Sequence, residues 1–176
     1  MKHILIVALV FMLATSIGTA QLKEGAFGIQ AGVLGGSALY SNSQGVSVGS
    51  TSLTGLYNVN QTLRVGFSVG FASVSPSSGS STSDFEIGIG VDSYLSSSDH
   101  VSTLVGVRLG YLSYTPGYGT SISGVDIGLK AGAEYAFSSR FSIQAFVGLD
   151  YRNGGPSGET TSQFGTLSGT ALSFYF

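Results

Sequence analysis

From about residue 27 onward the chain alternates with period two, and its charged residues keep to one phase of the alternation. Val65, Phe67, Val69 and Phe71 are interleaved with Arg64, Gly66, Ser68 and Gly70, and Phe85, Ile87, Ile89 and Val91 with Glu86, Gly88, Gly90 and Asp92. The same holds for Val105, Val107, Leu109 and Tyr111 against Gly106, Arg108 and Gly110, and for Val125, Ile127, Leu129 and Ala131 against Asp126, Gly128 and Lys130. Ile143, Ala145, Val147 and Leu149 face away from Gln144, Gly148 and Asp150, and Phe27, Ile29, Ala31 and Val33 from Gly28, Gln30 and Gly32. Successive side chains of a strand point to opposite faces, so period two predicts strands, each with one apolar face and one of glycine, serine and charge. Two further strands, near 46 to 59 and near 164 to 176, alternate less cleanly. No helical stripe follows residue 21.

Alternation alone leaves open which face points inward, and a soluble barrel would enclose the apolar one. Composition decides. Only 9% of residues are charged while 43% are hydrophobic and 27 are glycine, against roughly 25% charged in ordinary soluble domains. An exterior of glycine with one or two charges per strand is a poor water-facing surface and forms strands weakly. An exterior of Val, Ile, Leu and Phe is what hydrocarbon requires. The apolar face is therefore expected outside, and the glycine face inside, where it leaves room for long charged side chains.

An open sheet edge in a bilayer leaves backbone groups unpaired at several kcal/mol each, so the sheet must close. Short connections are expected at 60 to 62, 96 to 100 and 137 to 140, alternating with longer ones near 35 to 45, 75 to 83, 115 to 121 and 153 to 162. Seven connections make eight strands: the expected fold is all-β, a closed antiparallel up-and-down eight-stranded transmembrane β-barrel. The short/long rhythm matches the periplasmic and extracellular ends of such barrels. Tyr57, Tyr135, Phe137 and Phe141 near the short turns, and Phe71, Tyr111, Tyr151 and Phe164 near the long ones, would supply two aromatic girdles.

Residues 1 to 20 read as a secretory signal peptide: Lys2, an apolar run from Ile4 to Ala14, then small residues at Gly18 and Ala20. The run is about half the roughly 20 residues of a spanning helix. The domain layout is thus a leader over 1–20 and the barrel over 21–176, with Gln21 first in the mature chain. The absence of cysteine excludes disulfides, thiolate metal sites and cysteine nucleophiles. A slightly acidic charge gives no basic face for nucleic acid.

The lumen-facing charges are the one candidate constellation: Arg64, Glu86, Asp92, Arg108, Asp126, Lys130, Glu134, Asp150 and Arg152. Folding neighbouring strands about their turn centres sets Arg108 opposite Gly88 and Gly128, within diagonal reach of Glu86, Asp126 and Lys130. Asp126 lands near Asp150 and Arg152, and Arg64 near Asp92 and Tyr94. Nearly every charge gains an opposite neighbour, which is what a narrow lumen demands. Two readings follow: a salt-bridge plug, or a gate whose pairs exchange to pass small ions. Catalysis is not expected. His100, alone among histidines after the leader, falls in a short turn beside Asp99, and no Ser/His/Asp arrangement can be assembled. No cofactor or metal site is indicated. The long connections are rich in Gly and Ser and carry one charge, Glu159, as in weakly sticky surface loops.

The ending Leu172, Phe174, Phe176 resembles the C-terminal signature of outer-membrane barrels, which the barrel-assembly machinery recognises. Together with the leader, the strand count and the loop rhythm, the whole mature chain resembles the small-barrel family that includes the OmpA membrane domain, OmpX and the opacity-type proteins. The resemblance implies a cell outer-membrane location, with outer-membrane lipids, the assembly machinery and periplasmic chaperones as partners, and a monomer. It leaves function open among a non-enzymatic envelope or surface protein, a low-conductance pore and an adhesion protein acting through its loops.

Overall fold

The computed structural model describes residues 23–35, 51–74, 81–98, 100–115, 121–155 and 161–176. The expected leader and half or more of each long connection lie outside them. Eight strands follow in order: β1 (Phe27–Gly35), β2 (Thr51–Asn58), β3 (Leu63–Val74), β4 (Thr82–Ser97), β5 (Val101–Thr115), β6 (Ile122–Ser138), β7 (Phe141–Gly155) and β8 (Thr161–Tyr175). Each pairs antiparallel with its sequence neighbours, and β8 pairs back onto β1 to close the barrel. The strands from β4 to β8 run 15 to 17 residues, more than the roughly 9–11 that a tilted strand needs to cross a bilayer.

The faces divide as the alternation predicts. None of the apolar-phase positions named above is buried, and Phe67 (57%), Val147 (65%) and Phe164 (71%) are among the most exposed. Inside, the largest fully buried side chain is Arg64, at 1% exposure. It is accompanied by Leu56, Leu104, Leu112, Tyr94 and Ala171, a mixed core in which charge and aliphatic groups share the lumen. Glycine makes the room: a Cβ on Gly110 would collide with the Asp126 carboxylate, and one on Gly106 with Asp92 and Lys130.

Two of the three short connections, β4–β5 and β6–β7, are tighter than the sequence implied. Ser96 and Ser97 continue the ladder, pairing with Thr103 and Ser102, so the turn reduces to 98–100, closed by Ser98 N donating to Val101 O at 2.8 Å. Phe137 and Ser138 likewise belong to β6. At the β2–β3 turn Asn60 Oδ1 accepts from Thr62 N at 2.8 Å and from its hydroxyl at 3.1 Å. At the other end β7 and β8 extend further than expected, because Asn153 pairs with Ser162 and Gly154 with Thr161. Serine and glycine there mark strand rather than loop. β2 begins at Thr51, and the expected start at 46 lies outside the described residues.

Aromatic rings cluster at the short-turn rim on the outer face. Tyr135 lies 5.0 Å from Phe137, which stacks on Phe141 at 5.3 Å; Phe27 lies 4.9 Å from Tyr57, and Phe174 lies 5.9 Å from Phe176. Phe71, Tyr111, Tyr151 and Phe164 are exposed toward the long connections.

Candidate lumenal site

The interior charges form two layers. In the layer nearer the short turns, Arg64 of β3 sends Nη2 to Asp92 Oδ2 of β4 at 2.8 Å and Nη1 to Glu134 Oε2 of β6 at 2.9 Å. The same guanidinium donates to Tyr175 Oη at 2.6 Å and to Gln144 Oε1 at 3.3 Å, and lies 5.2 Å from the Tyr94 ring centre. Glu134 is saturated from every side. Tyr94 Oη donates to its Oε2, while Tyr175 Oη at 2.8 Å and Ser142 Oγ at 2.5 Å donate to its Oε1. Gln30 Nε2 extends the network to Gln144 Oε1 at 2.7 Å and Ser173 Oγ at 2.9 Å. Lys130 Nζ completes the layer on Asp92 Oδ1 at 2.8 Å, with the Phe146 ring 5.4 Å away.

The second layer lies toward the long connections. Arg108 of β5 bridges Glu86 Oε1 at 2.8 Å and Asp126 Oδ2 at 2.6 Å, taking one neighbour strand on each side. Arg152 Nε meets Asp150 Oδ2 at 2.5 Å, and the register places Arg152 directly opposite Asp126. This layer is wetter: the Arg108 and Arg152 side chains are 28% and 15% exposed, against 0% for Arg64.

Charge-assisted bonds of this geometry are the strong ones, and they are needed, because an ion held away from water costs several kcal/mol unless its lone pairs and protons are satisfied. The arrangement acts as a cross-brace. Arg64 ties β3 to β4, β6, β7 and β8, so the layer spans the lumen rather than lining one wall. Beyond it a void of ≈ 120 Å³ remains among Gln30, Leu56, Arg108, Lys130 and Phe146.

The structure places all nine expected side chains on the lumenal face. The pairing of Arg64 with Asp92 and of Asp126 with Arg152 follows the expected neighbours. Arg108 sits opposite Gly128 as expected but opposite Gly90 rather than Gly88. The correction is the shorter β4–β5 turn, whose centre moves toward Val101 once Ser96 and Ser97 join the ladder. Lys130 turns to Asp92, away from Arg108. Tyr175, Ser142 and Asp84 are buried polar groups that the sequence pattern did not single out. Tyr175 is legible in principle, since Phe174 and Phe176 on the outer face put the residue between them inside.

At the short-turn end the layer floors a cavity of ≈ 580 Å³, walled by Asn58, Tyr94, Ser102, Glu134, Ser142 and Tyr175, with Lys23, His100 and Arg140 also lining it. His100 is exposed, 5.8 Å from the Tyr135 ring. Among the described residues no group of three or more His, Asp or Glu is arranged to hold a metal ion.

No protein-family profile matches the chain, and no curated protein matches it. Solved structures do. The N-terminal β-barrel domain of Pseudomonas aeruginosa OprF is 14% identical, aligned over 87% of this chain and 98% of its own, with a TM-score of 0.56. Neisserial surface protein A is 21% identical over 87% of this chain and all of its own, with a TM-score of 0.62. At such identities the likeness is one of fold, and the closed eight-stranded antiparallel barrel described above is the fold of these small outer-membrane barrels.

Proposed function

We propose that this chain is a non-enzymatic integral outer-membrane protein that contributes to envelope structure or surface properties, its lumen closed by the two ionic layers. One observation carries the reading. The barrel exposes a continuous band of Phe, Val, Ile and Leu while its strand charges are turned inward, the inverse of a water-soluble barrel. Aromatic residues at both rims fit the two interfaces of a bilayer. The short turns would face the periplasm and the long connections the exterior. The pore reading is disfavoured by Arg64, whose side chain stands in the lumen at 0% exposure with five partner side chains around it.

The test is heat-modifiability of the purified protein on an unboiled gel, with and without detergent. A band shift on boiling, and precipitation once detergent is removed, are the expected results. A chain that stays folded and monodisperse without detergent removes the proposal.

A further inference from the structure

The two halves of the lumen differ in charge balance. In the short-turn half Arg64 and Lys130 face Asp92 and Glu134, two against two. In the long-connection half four carboxylates, Asp84, Glu86, Asp126 and Asp150, all buried, face two guanidinium groups, Arg108 and Arg152. The other basic side chains of the sequence are Lys2, Lys23 and Arg140, with His3 and His100. Lys23, Arg140 and His100 line the cavity at the opposite end, and Lys2 and His3 belong to the N-terminal segment ahead of the barrel. The stretches 36–50, 75–80, 116–120 and 156–160 contain no Lys, Arg or His and add Glu159. No basic residue of the barrel sequence is left to balance this half.

Asp84 is where the imbalance is least relieved. It stands on the lumenal row of β4, two residues before Glu86 and opposite Tyr114, at 6% exposure. Among the described residues it has no ion pair, and its buried Oδ1 has no hydrogen-bond partner; Asp126 Oδ1 and Asp150 Oδ1 are unpartnered as well. Buried carboxylate oxygens without donors are costly, and among the described residues none is supplied to these three. The partial exposure of Arg108 and Arg152 shows that solvent reaches this half.

We propose that the long-connection half of the lumen binds a small organic cation bearing primary ammonium groups, with Asp84 accepting from one of them. The geometry disfavours a metal ion. Divalent cations gather several oxygens around one point, and no three carboxylates converge that way among the described residues. The orphan oxygens are instead dispersed along the wall. An ammonium with its three N–H donors satisfies such acceptors separately. The excess of two negative charges matches a diamine. Same-face neighbours on a strand are about 6.6 Å apart, so a four-carbon diamine can span from Asp84 to the second layer. The site belongs to the barrel interior; that its mouth opens to the cell exterior rests on the function proposed above.

Isothermal titration of the full chain in detergent micelles at low ionic strength, with 1,4-diaminobutane, n-butylamine and Mg²⁺, tests the proposal. The expected result is saturable 1:1 binding of the diamine, weaker binding of the monoamine, and at least tenfold weaker diamine binding in Asp84→Asn, with Asp84→Glu restoring it. Migration of each variant on an unboiled gel shows that the barrel is intact. No saturable diamine binding to a folded barrel overturns the site, as does undiminished binding in Asp84→Asn. Mg²⁺ binding as tight as that of the diamine reduces it to a diffuse acidic field and overturns it equally. A barrel that is heat-modifiable and detergent-dependent yet binds no diamine leaves the membrane reading standing; one that binds diamine without needing detergent does the reverse.

Discussion

Arg64 and Glu134 are 70 residues apart in the chain and three strands apart around the barrel, yet their side chains meet at 2.9 Å in the middle of the lumen. A contact of this kind, made through the barrel rather than along its wall, turns eight pairwise ladders into a single cross-braced body. Arg64→Ala leaves Asp92 with one cation and Glu134 with none, both buried. Breaking a buried ion pair from one side costs about 3–5 kcal/mol. Urea unfolding in zwitterionic detergent is expected to show a destabilisation of that order. Glu134→Gln keeps the shape and the tyrosine and serine neighbours but also strips Arg64 of a partner, and should fall between Arg64→Ala and the parent. A parent-like midpoint for Arg64→Ala would mean that water replaces the network at no cost.

The two layers predict a particular result in planar bilayers. Arg108→Ala removes both ion pairs that Arg108 makes, to Glu86 and Asp126, and opens the wetter layer. It leaves the Arg64 layer untouched. If the lumen is a plug, the parent and Arg108→Ala are both silent in single-channel recordings. Discrete conductance steps in Arg108→Ala would show that the second layer is the barrier and that the barrel works as a gated pore.

How far the sequence alone reveals the barrel and its ionic network depends on which contacts are local. The strand faces are legible, because a charge in hydrocarbon is so costly that Arg64, Glu86, Arg108, Asp126 and Asp150 can occupy only one phase of the alternation. Neighbour pairings such as Arg64 with Asp92 follow from the turns. Arg108 against Gly90 does not, since Ser96 and Ser97 carry the composition of a turn and the geometry of a strand. The contacts of Arg64 with Glu134, Tyr175 and Gln144 are out of reach altogether. They join strands that are not adjacent, so their proximity depends on barrel radius and strand stagger, which no local pattern encodes.

Leu109 lies near the middle of β5 on the outer face, 53% exposed. On the surface of a soluble barrel Leu109→Arg would change stability by no more than about 0.5 kcal/mol. In a bilayer an arginine at the midplane costs about 2–4 kcal/mol. The expected outcome is the larger figure, measured by denaturant unfolding from phospholipid vesicles, with a smaller loss for arginine at Ser113 nearer the rim of the same strand. Equal and negligible effects at both positions would sink the assignment of this face to lipid.

The last residues allow assembly to be separated from stability. Phe174 and Phe176 are exposed on the outer face, their rings 5.9 Å apart, while Tyr175 between them is buried in the Arg64 network. Phe176 lies just beyond β8, its N–H held by Phe27 O at 2.8 Å. Its ring adds little to the folded barrel, so Phe176→Ala should refold in detergent micelles with a yield and unfolding midpoint close to the parent. If the Leu172, Phe174, Phe176 series is read by an assembly machinery, the same variant should accumulate unfolded in the periplasm of expressing cells and reach the membrane several-fold less. Tyr175→Phe is predicted to do the opposite. It removes one hydroxyl that both accepts from Arg64 and donates to Glu134, lowering stability by about 1–3 kcal/mol while leaving delivery intact. Parallel losses in both assays for both variants would show that the C-terminus acts through stability alone.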